Sequence, residues 1–488
     1  MKDIECNPYA PFLIESTRSI GYSVEAAVAD IIDNSISANA DNVNIYFGAE
    51  TPYIAIIDDG FGMDSHEITE AMRFGSADPL RNRDENDLGR YGLGMKTASL
   101  SQCRKLTVLS KKNETVSCRR WDIDYVEKTG KWSLIDMGLK EAKELPCYKQ
   151  FCKLPHGTMV LWQDLDKLEL NGLTVEEALE NKIDDVREHL SLVFHRFLSG
   201  ESGHKLLISI NNVKLNAFDP FFVAKSTAVM DTEKIEIPGR RGKVLVTPFI
   251  LPHASKMTKS ELEQYGGKEG LRGLQGFYIY RNYRLLTWGT WFGLRRKDEF
   301  TKLARVRVDI PNTLDDLWTL DVKKSTAYPP EIIKTRLRQL ISTISKSSER
   351  TYSFRKRVEI NKQFATVWDK TETREGIRYE INKNHPVYKA LNSRLDEYSK
   401  TLLKEYVDTV ENNLPFNNIY IDMSKDSKLA EQPKDDTRDR IIKMAEIILA
   451  DAKEREDLDA RYEELLKTDE FKNYEEDLKK IKRRIAYK

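Results

Sequence analysis

The stretch DLGRYGLGMKTASLSQ, Asp87 to Gln102, places Gly89, Gly92 and Gly94 directly ahead of residues that favour a helix. Glycine lets backbone approach another group closely. A helix start aims several free N–H groups at one point, which suits an anion. Lys96 adds a point charge at the same place. Two familiar phosphate loops are excluded. A Walker loop needs Gly immediately before Lys, where Met95 stands, and a dinucleotide fingerprint needs its third Gly where Thr97 stands. A plain turn ahead of a helix would use the same residues, so the choice rests on the rest of the chain.

Two other stretches bear on it. IIDDGFGMD ends a strand-like run at Asp58 and follows it with Gly60 and Gly62. A carboxylate at a strand end can accept from an exocyclic amine while the glycines let a flat ring lie on backbone. A tight turn capped by an Asp is the alternative. In EAAVADIIDNSISANA, Val24, Ala27, Val28, Ile31 and Ser35 share a helical stripe, and Asp30 and Asn34, four apart, share another face. Asn34 offers a neutral oxygen to a Mg²⁺ that also holds phosphates, and Asp30 can orient a water. An acidic solvent face is the bland reading, yet solubility explains poorly an Asp–Asn pair inside an alanine- and isoleucine-rich helix.

In this order and at these intervals, EAAVADIIDNSISANA, DDGFGM and LGRYGLGMKTAS resemble the N, G1 and G2 boxes of the GHKL ATPase superfamily. That group includes type II topoisomerases, MutL mismatch-repair proteins, a heat-shock chaperone and histidine kinases. HGTMVLW, His156 to Trp162, resembles the late Gly-Thr strand of the same domain, and RFGSADPLRNRDENDLGRYGLGMKTASLS resembles the lid and G2 box of the MORC ATPases and their bacterial relatives. The resemblance implies an α+β chain with ATP and Mg²⁺ as cofactors. A Bergerat α/β sandwich would occupy residues 1–200, an S5-like transducer 201–345 and a mainly helical, charged region 346–488.

The resemblance also implies roles. Asn34 would hold Mg²⁺, and Asp58 would accept from the adenine amino group, supported through water by Thr158. Gly60, Gly62 and Met63 would line the base pocket. Gly89, Tyr91, Gly92, Leu93, Gly94, Lys96 and Thr97 would wrap the phosphates, within a lid over about 74–95. Asp30 would be the general base. The family usually has Glu there, and Asp is one methylene shorter, so slow hydrolysis is expected. Glu25 lies on the wrong face to replace it. A transducer lysine should reach the γ-phosphate, and WTLDVKKSTAYPP offers Lys324, with Lys323 beside it; a solvated basic turn is the other reading.

ATP binding in such proteins pairs two N-terminal domains, and Tyr9, Phe12, Leu13 and Ile14 are candidate anchors for an ATP-dependent homodimer. The output divides two ways. A DNA clamp or remodeller, of the kind found in bacterial restriction or anti-phage systems beside a separate nuclease or methyltransferase, would use the basic segments 345–362 and 479–488. A chaperone-like ATPase would act on protein. A sensor kinase is disfavoured, because none of the seven histidines lies in an evident acceptor helix upstream of the ATP boxes. A formal charge of zero argues against indiscriminate coating of nucleic acid or membrane. No run of about eighteen apolar residues is present, and the N-terminus lacks a secretory pattern. With five cysteines and no CxxC pair, the chain reads as a cytoplasmic protein with reduced thiols, and no zinc site is expected.

Overall fold

The computed structural model describes residues 8–19, 21–75, 94–226, 228–267, 269–299, 301–315, 317–320, 327–353, 366–373, 376–416, 419, 437–450, 452, 454–468, 471 and 474–486. The chain divides into two units, Met1–Tyr352 and Ser353–Lys488.

The first unit opens with a sheet of eight strands: β1 (Asn42–Gly48), β2 (Tyr53–Asp58), β3 (Lys105–Lys112), β4 (Thr115–Asp122), β5 (Ile135–Asp136), β6 (Gly157–Gln163), β7 (Leu207–Ile210) and β8 (Val213–Lys214). Their order is β5-β4-β3-β6-β2-β1-β7-β8, antiparallel except for β1 against β7. Alternation along the strands assigns side chains to the two faces. Ile54 and Ile56 of β2, Leu106 and Val108 of β3, and Val160 and Trp162 of β6 point to one core. Ala55, Ile57, Leu109, Met159 and Leu161 point to the other. Both faces are covered, which is why these strands read as nearly continuous apolar runs.

The first of these faces is covered by helices. They include α1 (Ala10–Arg18), α2 (Val24–Ser37), α4 (Gly94–Leu100) and the helix Val175–Val193, with α3 (Ser65–Met72) near the sheet's far end. Ser23 caps α2 by accepting from Ala26 N, and Ala27, Val28, Ile31 and Ile32 sink its apolar stripe into the core. Arg18, 2% exposed at the end of α1, donates from Nε to Leu100 O at 2.7 Å and pairs with Asp166 at 2.6 Å. Helix α1 is thereby tied to the last residue of α4.

A second sheet follows, from β9 (Ala228–Val229), β10 (Glu233–Glu236), β11 (Lys243–Ile250), β12 (Gly276–Arg281), β13 (Arg284–Thr290) and β14 (Ala304–Ile310). Its order is β10-β11-β14-β12-β13, with β9 on β11 and β12 parallel to β14. Asn282 and Tyr283 turn β12 into β13 with φ of 45° and 67°, the two-residue geometry that matches strand twist. The helix Glu331–Ser353, begun after Pro329 and Pro330, packs Ile333, Leu337, Ile341 and Ile344 on this sheet.

The domain boundary that the resemblance implies at residue 200 comes too early for the first sheet. KLLISINNVKL, assigned by sequence to the second domain, supplies β7 and β8, and β7 pairs in parallel with β1 of the first sheet. A local pattern of alternation does not say which sheet a strand joins.

The second unit holds a hairpin, Trp368–Thr373 with Gly376–Ile381, which sequence reading missed within a region expected to be helical. Ile441, Ala445, Ile448 and Leu449 pack with Leu458, Tyr462, Leu465, Leu478 and Ile481 in a small core, so these helices form a bundle and not a free coil. Among the described residues no helix is long and apolar enough to cross a membrane.

Candidate functional site

Three columns of helix-facing apolar side chains end in polar ones. Ile54 and Ile56 lead to Asp58, Leu106 and Val108 to Ser110, and Val160 and Trp162 to Thr158. Strand register sets them side by side, Asp58 opposite Thr158 and Thr158 opposite Ser110. Ser110 Oγ accepts from Met63 N at 2.8 Å, donates to Gly157 O at 3.1 Å and lies 2.9 Å from Thr158 Oγ1. It therefore locks the loop after β2 onto β6. Ser110 escaped sequence reading, though the alternation in KLTVLSKK places it on the same face as Val108.

Asp58 is 6% exposed. Its carboxylate accepts from Ser35 Oγ at 2.9 Å and from Gly60 N at 3.0 Å. Burial pushes its carboxyl up from 3.8 to about 6, against the hydrogen bonds from Gly60, Ser35 and the Thr158 backbone. A carboxylate offers about four acceptor positions, so capacity remains for an incoming amine. The adjoining turn admits only glycine at Gly62. Its φ is +67°, and a Cβ there would stand 2.1 Å from Lys111 O. His156 Nδ1 lies 2.7 Å from Gly60 O and braces the turn from the β6 side. Ser35 near the end of α2 thus contacts Asp58, and the turn with Gly60, Gly62 and Met63 lies against β3 and β6.

The middle of α2 carries the second group. Asn34 is exposed and donates from its amide nitrogen to Asp30 O at 3.1 Å, so that its amide oxygen is the atom that could coordinate a cation. Asp30 and Asp33 are buried, 2% and 1% exposed. Both face Arg284 of β13, whose Nε donates to Asp33 Oδ1 at 2.8 Å and whose Nη2 is 3.5 Å from Asp30 Oδ1. Neither Asp33 nor Arg284 was singled out from sequence as part of the site; a contact spanning 251 positions leaves no local signal. The head of α4 is adjacent, since a Cβ on Gly94 would come within 3.9 Å of Asp30 Oδ2. The structure thus brings Asp30 to Gly94, and Ser35 of the same helix to Asp58, which stands opposite Thr158.

Lys96, expected to place its charge by the phosphates, is 2% exposed and donates from Nζ to Ala71 O at 2.8 Å, near the end of α3. Desolvation lowers its ammonium from 10.5 to about 8. Thr97 is buried and donates to Gly94 O at 3.3 Å within its own turn. Gly89, Tyr91, Gly92, Leu93, Lys323 and Lys324 lie outside the described residues. His195 is a core residue, its Nε2 2.7 Å from Tyr280 OH.

Three cations of the basic C-terminal segment are paired with acids. Lys479 pairs with Glu475 at 2.5 Å, Lys482 with Asp459 at 2.8 Å, and Arg484 with Glu446. Most of the other basic segment, 345–362, lies outside the described residues or has side chains that are not described.

A family model described as histidine kinase-, DNA gyrase B- and HSP90-like ATPase matches residues 22–158, which include Asp30, Asn34, Asp58, Ser110 and Thr158 but not Arg284. Among curated proteins, ATPase MORC2B of Mus musculus is 30% identical over 97 residues and ATPase MORC2 of Homo sapiens 28% over 97, each match covering 19% of this chain and 9% of the relative. ATPase morc-1 of Caenorhabditis elegans is 27% identical over 124 residues, 25% of this chain and 13% of the relative. The shared segment is therefore about a tenth of those proteins' length. Residues 22–158 are a GHKL-type ATPase domain resembling those of the MORC ATPases.

Proposed function

We propose that this chain binds ATP with Mg²⁺ and hydrolyses it slowly, using the binding to pair two copies of itself. The observation that supports this best is the desolvated Asp58 carboxylate, which has room to accept one more donor and is held by Ser35 of the same helix that carries Asn34 and Asp30. Asp58 accepts from the adenine amino group, with Thr158 and Ser110 fixing the wall beside it. Asn34 presents its amide oxygen to the metal, whose chemical contribution is to neutralise charge on the phosphates. Asp30 takes the proton from the attacking water. Lys324, or its neighbour Lys323, reaches the γ-phosphate from the second domain. By the resemblance, the stretch over about 74–95, most of it outside the described residues, would serve as the lid that excludes water.

Pairing of two chains is supported by α1. Tyr9, Phe12 and Leu13 are 52%, 73% and 40% exposed, while Ile14 is buried and Arg18 ties the helix to α4. A lid that closes onto α4 would therefore act on an exposed apolar helix. The favoured output, from the MORC resemblance, is a gated clamp or remodeller on duplex DNA, with a role in bacterial defence beside a separate nuclease or methyltransferase. A second reading, an ATPase acting on protein partners, is favoured by the pairing of Lys479, Lys482 and Arg484 with acids and by Tyr398, Leu402 and Tyr406, which form an exposed apolar stripe on Glu397–Asn412. Turnover of wild type and Asp30→Ala, each with and without duplex DNA, tests both levels. Loss of turnover in Asp30→Ala with analogue binding retained supports the base. Stimulation of the wild type by DNA supports the clamp, and indifference to DNA supports the protein-directed reading.

A further inference from the structure

We propose that Arg284 is a positioning residue for the hydrolytic carboxylate Asp30, so that the second sheet sets the geometry of the base. The inference rests on the ATPase reading above. Two acidic side chains one turn apart on α2, both nearly inaccessible to water, repel each other, and their burial needs a cation. Arg284 is that cation, itself 4% exposed. Its contacts are unequal, and the inequality assigns the roles. Nε is hydrogen-bonded to Asp33 Oδ1 at 2.8 Å, Nη1 donates to Leu285 O at 3.2 Å, and the guanidinium carbon stands 5.8 Å from the Phe194 ring centre. These contacts anchor the fork. Nη2 then lies 3.5 Å from Asp30 Oδ1, long for a hydrogen bond but close enough to hold that oxygen by charge. The other oxygen, Oδ2, is the one that faces Gly94 at the head of α4. One oxygen is restrained from behind while its partner is presented to the site.

The anchor sits on β13 directly after the Asn282–Tyr283 turn, and β13 belongs to the second sheet. Any movement of that hairpin against α2 would shift Asp30. A guanidinium fork can address two carboxylates at once; a lysine ammonium is a single point and serves only one well.

The test uses the full chain with Arg284→Gln, Arg284→Lys, Asp33→Asn and Asp30→Asn, read by steady-state turnover, by binding of a non-hydrolysable ATP analogue and by thermal unfolding without nucleotide. Expected for Arg284→Gln is a kcat lower by about tenfold or more, since small misplacement of a reacting group is costly, with KM and analogue affinity within about threefold. Arg284→Lys recovers part of the loss. Placed in the Asp30→Asn background, Arg284→Gln costs nothing further. Without nucleotide, the melting shifts of Arg284→Gln and Asp33→Asn are non-additive. If Arg284→Gln does not fold, Arg284→Lys and Asp33→Asn carry the same comparisons. A folded Arg284→Gln with wild-type kcat, an equal loss in the Asp30→Asn background, or additive melting shifts overturns the proposal. A wild type that binds the analogue but never turns over ATP instead overturns the hydrolysis reading, and the role of Arg284 with it.

Discussion

Replacing Asp58 by Asn separates what the site costs the fold from what it gives the ligand. The carboxyl titrates at 3.8 ordinarily and at about 6 in the folded protein, because burial disfavours its ionised form. The native state therefore holds this proton more tightly than the unfolded chain, and its contribution to stability is lost as pH rises from about 4 to above 6. At 1.36 kcal/mol per pH unit, about 1 kcal/mol is gone near pH 4.5 and about 3 kcal/mol by about pH 7.5. An amide at the same position does not titrate, and it can still accept from Gly60 N and meet Ser35 Oγ. The stability of Asp58→Asn relative to wild type should thus improve by about 2 kcal/mol between those two pH values. For a domain of this size that is roughly 4–8 °C in melting temperature. Scanning fluorimetry of the nucleotide-free protein at both pH values reads it directly, and every other titrating group cancels in the comparison. A difference between the two proteins that does not change with pH, or that moves the other way, would refute the desolvated carboxylate.

Other outcomes follow from the same geometry. Affinity for an ATP analogue should fall by up to about tenfold per pH unit below about 6, because Asp58 must be ionised to accept fully; a titration series from neutral to mildly acidic pH checks this. Gly62→Ala should lower nucleotide affinity at least about tenfold and destabilise the nucleotide domain by about 2–4 kcal/mol, since the residue needs φ of +67° and a Cβ would stand 2.1 Å from Lys111 O; calorimetry and melting curves read the two effects. Phe12→Asp should leave the melting temperature of the nucleotide-free chain unchanged within a degree or so, because the ring is 73% exposed, yet abolish the mass increase that the analogue produces in light scattering.

Much of the site was legible because its parts are local. The helix period put Asp30 and Asn34 on one face of α2, and the strand run YIAIID carried Asp58 to the end of β2. What escaped was non-local or depended on which face a residue took. Arg284 carries no local mark of the site, and only the docking of its hairpin against α2 makes it a neighbour of Asp30. Ser110 looked like the polar end of a strand until register set it beside Thr158. Lys96 follows the glycines in sequence, yet its ammonium finds Ala71 O in the protein. The same limit applies to β7, whose alternation is clear but whose partner, β1, lies more than 150 residues earlier.

The central claim is that α2, the end of β2 and the head of α4 form one nucleotide site. Calorimetric titration of a non-hydrolysable ATP analogue with Mg²⁺ into wild type, Asn34→Ala and Asp58→Asn addresses it most directly. One site per chain in the wild type, weakened by about tenfold or more in each folded variant, is the predicted result. Wild-type affinity in both variants, or no binding to the wild type at all, would contradict it.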